Sequence, residues 1–135
     1  MPEVKKIQQY YFRGENPDFF AYKDGVLQPK QYPSLPAMVT DSFADAIVYA
    51  TNNSEFEYGY IYVIQADAIQ SLELTLEEQQ NPNAKGLRLE GKSFLLSSSK
   101  FEVLPQESLQ GVRRTPSLCV EYSFCGYYNP GGELG

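Results

Sequence analysis

Gly59-Tyr60-Ile61-Tyr62-Val63-Ile64-Gln65 is the stretch that decides how this chain folds. Tyr, Ile and Val favour the extended backbone of a strand. Apolar side chains stand at odd and even positions alike, so neither face suits water. The segment therefore reads as a central strand covered on both sides.

Working back toward the N-terminus, Ser42 has the right chemistry for a helix N-cap, with Asp45 three residues on as a shortened capping-box partner. Ala44 to Ala50 favours helix, and Phe43, Ala46, Ile47 and Ala50 fall at helical spacing toward the core. Ala37 to Thr40 can form a brief strand before it. The prolines between Gln28 and Pro36 make an extended surface loop, and Lys23-Asp24-Gly25 a turn. Glu15 to Lys23 reads as a turn or short helix, and Gln9 to Arg13 as a short first strand.

Beyond the central strand, Asp67 to Leu72 suits one helical turn, and polar Glu77 to Gly86 reads as a mobile loop. Leu87 to Glu90, Ser93 to Leu96 and Phe101 to Leu104 read as short strands, and Pro105 to Leu109 as a turn of helix. Leu118 to Phe124 alternates as a half-exposed strand does, and Asn129-Pro130-Gly131-Gly132 makes a frayed tail. The sum is an α+β domain with one clear helix, a single domain over residues 1–135.

Composition removes whole classes of chemistry. With no histidine, Ser-His-Asp and Cys-His catalysis and His-ligated zinc are excluded. Cys119 and Cys125 can form one disulfide or stay as free thiols, but two sulfurs cannot build a structural zinc site, and no metal is expected. A net charge of −6, with the 11 basic residues scattered, argues against nucleic-acid binding. Met1 to Gln9 carries no apolar run, so no signal peptide is expected, and no stretch is apolar enough for a membrane span. A soluble protein is expected. Eleven tyrosines and eight phenylalanines suit a core or cleft lined by rings.

Three places hold candidate chemistry. Tyr11-Phe12-Arg13-Gly14 puts a guanidinium and a small residue at a strand end, where both can approach a phosphate or carboxylate. Val39-Thr40-Asp41-Ser42 puts hydroxyls at a strand-to-helix junction, where they cap the helix or meet a ligand at its positive end. Glu90, and after it Glu102, offers a carboxylate able to stabilise a cationic sugar or act as a base. Each also has a plain structural explanation: a surface cation, a cap, a solvated acid.

In this order the pieces resemble the Arg-Ser-Glu class of mono-ADP-ribosyltransferases, the cholera- and pertussis-toxin kind. Tyr11-Phe12-Arg13 is similar to the aromatic-Arg strand of that class, and Gly25-Val26-Leu27-Gln28-Pro29 to its glycine-led turn. Val39-Thr40-Asp41-Ser42, Ala46 to Ala50 with Tyr49, and Tyr60 to Asp67 match the hydroxyl strand, helix and tyrosine-rich strand in type. The resemblance implies two small packed antiparallel sheets with short helices and a cleft for NAD between them. It implies that Arg13 and Gly14 meet the dinucleotide, that Thr40 and Ser42 order the nicotinamide side and the glutamate, that Tyr49 shapes the pocket, and that Glu90 is catalytic. ADP-ribose would then pass to a protein or other acceptor. Asp41 stands where the class has a hydroxyl, and Arg88 where it has Glu or Gln before the catalytic acid. A catalytically inactive module acting by protein-protein binding is the alternative, and an unrelated α+β domain a further one.

Overall fold

The computed structural model describes residues 8–52 and 58–116. In chain order these form β1 (Tyr10–Glu15), β2 (Phe20–Lys23), β3 (Val26–Pro29), β4 (Ala37–Thr40), α1 (Phe43–Thr51), β5 (Tyr58–Gln65), α2 (Ala66–Ser71), β6 (Thr75–Glu78), β7 (Ser93–Ser97) and β8 (Leu109–Pro116). Short 3-10 turns lie at Pro17–Phe19, Pro82–Ala84 and Gln106–Ser108. Six strands make one antiparallel sheet in the order β6-β7-β4-β1-β5-β8, and β2 and β3 make a separate hairpin. The fold is α+β.

β5 is the interior strand that its sequence requires. It pairs along β1 from Tyr10↔Gln65 to Glu15↔Tyr60 and along β8 on its other edge. Tyr60, Tyr62 and Ile64 enter the main core with Phe20, Leu27, Ile69, Leu96 and Leu104. Ile61, on the opposite face, packs with Ala46, Ile47 and Ala50 of α1. Tyr62, Ile61 and Ile64 are all fully buried, each contributing roughly 2 kcal/mol of transfer free energy.

α1 lies close on the sheet because the strands beneath it lack side chains at the crossing. A Cβ at Gly14 would stand 2.5 Å from the Ala46 carbonyl oxygen and the Ala50 nitrogen, and one at Gly59 would collide with the Ala50 backbone. Ser42 caps the helix as expected, its Oγ accepting from the Asp45 N–H at 3.2 Å. The Asp45 carboxylate does not return the bond to the cap. It is spent elsewhere.

The resemblance implies two small packed antiparallel sheets; the structure has two antiparallel sheets of unequal size, one of six strands and one a two-stranded hairpin. The hairpin packs on the larger sheet through Phe20, whose ring lies 4.5 Å from that of Tyr60 and 5.1 Å from that of Tyr62. Its turn uses Asp24 and Gly25 at φ 54° and 78°, the left-handed pair that matches strand twist. Leu87 to Glu90 is irregular rather than a strand. Phe101 to Leu104 is also irregular, bridging Ser34 through Val103, with Leu35 N–H donating to the Glu102 carbonyl. Glu77 and Glu78, expected in a loop, belong to edge strand β6, where charged residues discourage further pairing. The strand expected at Leu118 to Phe124, Cys119, Cys125 and the tail lie outside the described residues. Among the described residues no helix is long and apolar enough to cross a membrane, and no group of three or more acidic or sulfur side chains could hold a metal.

Candidate functional site

β1 and β4 are neighbours in the sheet but pair only at Phe12↔Thr40. Past that point the strands are bridged by a side chain, Arg13, whose Nη1 donates to the Met38 carbonyl at 2.9 Å. A cleft of about 700 Å³ opens along this seam. Its walls are Arg13, Gly14 and Glu15 of β1, the length of β4, Tyr49 and Asn52 at the end of α1, and the turn from Asn81 to Lys85. It therefore opens within one sheet, over the end of a helix, and not between two sheets.

Arg13 is held on two edges. Nε donates to Glu15 Oε2 at 3.2 Å, and the two side chains are 28% and 18% exposed, so the pair is partly shielded from water. With Nε and one Nη1 proton committed, the Nη2 donors have no partner among the described residues. A guanidinium fixed this way presents one free edge, the geometry that suits a phosphate or carboxylate.

Four of the six expected site residues, Arg13, Gly14, Thr40 and Tyr49, line this cleft. Gly14 is needed there for the approach of α1, which supplies a packing reason for the glycine beside any ligand role. Thr40 is 2% exposed, and its Oγ1 accepts from the Ser42 N–H at 3.1 Å, fixing the strand-to-helix corner. Ser42 itself is the helix cap and is not part of the lining.

The Tyr49 hydroxyl is buried, with Ser93 and Asn81 beside it, yet no hydrogen bond of good geometry joins them among the described residues. Burial pushes its pKa above the ordinary phenol value, and the Asp45 charge adds to the rise.

Glu90 stands apart from the cleft lining and is exposed. What fixes its neighbourhood is its backbone. The N–H groups of Glu90 and Gly91 donate to the two oxygens of Asp45 at 3.0 and 2.8 Å, and that of Lys92 to Asp41 Oδ1 at 2.9 Å. Gly91 must be glycine, since a Cβ would stand 2.5 Å from Ser42 Cβ and 2.6 Å from Asp41 Oδ1. The carboxylate of Asp41, unexpected in a hydroxyl motif, is thus explained: with Asp45 it clamps the segment leading into β7. Glu102 is exposed and lies in a separate hollow formed by residues 98–103.

Sequence reading missed Glu15, Asn52, Asn81 and Lys85 as cleft residues. Asn81-Pro82-Asn83 was the available signal. Asn81 Oδ1 accepts from the Asn83 N–H at 2.9 Å, and Asn81 is 8% exposed, so the start of this segment is anchored rather than loose. Compared with known protein families, curated proteins and solved structures, the chain matches none.

Proposed function

We propose that this chain is an ADP-ribosyltransferase-like domain that binds NAD in the β1–β4 cleft without transferring its ADP-ribose. The observation that carries this reading is the convergence of Arg13, Gly14, Thr40 and Tyr49, from three elements of the chain (β1, β4 and α1), on one cleft. The volume of about 700 Å³ lies in the range of small-molecule sites. In this reading the free edge of Arg13 takes a pyrophosphate or ribose oxygen, and Tyr49 forms the wall against the nicotinamide side.

Transfer needs a carboxylate beside the nicotinamide ribose, to favour the cationic sugar as nicotinamide leaves. Among the described residues Glu15 is the sole acid in the lining, and it is bound to Arg13. That absence of a free acid favours binding over turnover.

A second reading, an active transferase or NAD glycohydrolase using Glu90, draws on the Asp45 clamp. Asp45 ties Glu90 to α1 one helical turn from Tyr49. The test is nicotinamide release from NAD by the purified protein, alongside the NAD-dependent shift in melting temperature. A shift without release supports the first reading. Release that disappears in Glu90→Gln supports the second, and neither shift nor release overturns both.

A further inference from the structure

The cleft is electrostatically unlike the rest of the chain. Across the whole sequence 17 acidic residues face 11 basic ones, yet the described lining carries two cations, Arg13 and Lys85, against one carboxylate, Glu15. A locally cationic hollow on an acidic protein selects an anion and repels it elsewhere.

The two cations are presented differently. Arg13 is preorganised by Glu15 and the Met38 carbonyl, leaving its Nη2 edge free among the described residues. Lys85 is exposed and directly follows the Pro82–Ala84 turn, which is capped by Asn81 and closed by the Ala84 N–H donating to the Asn81 carbonyl at 3.0 Å. The turn sets where the Lys85 backbone stands, while its flexible side chain supplies a mobile point charge.

We propose that Arg13 and Lys85 form a diphosphate subsite, with Glu15 as its internal counter-ion. Glu15 aims the guanidinium and, being negative beside the anion, also limits affinity. The proposal rests on the nucleotide reading of the cleft, in which Arg13 meets the pyrophosphate, and goes beyond it by assigning Lys85 and Glu15. A charge-assisted hydrogen bond to a phosphoryl oxygen is worth enough to change affinity by roughly tenfold or more.

The test is calorimetric titration with inorganic pyrophosphate and, separately, with NAD, on wild type, Lys85→Met and Glu15→Gln. Lys85→Met is expected to weaken pyrophosphate binding about tenfold while the melting temperature stays put, since Lys85 is exposed. Glu15→Gln keeps an oxygen that can accept from Arg13 Nε but removes the negative charge, so binding should tighten by about threefold or more. Rising salt should weaken binding in every variant. Absence of pyrophosphate binding, or binding indifferent to Lys85→Met and Glu15→Gln, overturns the subsite. Pyrophosphate binding with the expected pattern but no NAD binding leaves the subsite standing and removes the dinucleotide reading. NAD binding unaffected by both substitutions does the reverse.

Discussion

β5 and the Glu90–Lys92 segment both lie beside α1, and they are held there by opposite means. β5 is fastened by its own side chains and by what it lacks: Ile61 packs under the helix, and Gly59 lets the Ala50 backbone come close. Glu90–Lys92 contributes little packing. It is fastened by three backbone N–H groups donating to carboxylates that reside 45 to 51 residues earlier in the chain. One region carries its structural reason in its own residues, and the other carries it in someone else's.

The sharpest way to break the comparison is to attack each fastening separately. Gly59→Ala forces a Cβ into the Ala50 backbone, where nothing flexible can yield. We expect a loss of about 3 kcal/mol or more by chemical denaturation, with cooperative unfolding of the whole sheet. A loss below about 1 kcal/mol would mean that the helix slides easily and the close approach is not a constraint.

Asp45→Ala attacks the polar clamp. Asp45 is 3% exposed, and its removal orphans two backbone donors, at a cost of about 2 kcal/mol or more. The damage should be local: hydrogen exchange of the Glu90 and Gly91 amides should accelerate well before that of β5. Acceleration of both together would show that the clamp is part of the global core.

A smaller effect concerns pH. Tyr62 and Tyr60 are 1% and 5% exposed, and burial is the main cause raising both phenols above the ordinary 10.0. These groups hold their protons more tightly folded than unfolded. Their contribution to stability is therefore complete below the unfolded value and is lost as pH rises above it, by up to about 1.4 kcal/mol per pH unit for each. Alkaline denaturation monitored through tyrosine ionisation should show folding and ionisation collapsing together. Free titration of these phenols in a still-folded protein would contradict their burial.

The same contrast explains how far the sequence carried. β5, the Ser42 cap, α1 and β4 were legible because each is set by local pattern and cap chemistry. Arg13, Thr40 and Tyr49, which the resemblance names as site residues, line one cleft. Leu87 to Glu90, read as a short strand, pairs with no strand among the described residues, and the clamp of Asp41 and Asp45 decides its path instead. Glu15 and Lys85 gave no signal, since an ion pair two residues apart and a lysine after a turn look like ordinary surface until the strands part around them.

The most direct test of the central claim is calorimetric titration of NAD into the purified protein and its Arg13→Met variant, with nicotinamide release followed in the same samples. The account predicts saturable binding to the wild type, loss of at least about tenfold in affinity for the variant, and no released nicotinamide. Absence of binding to the wild type, or equal binding by both proteins, would contradict it.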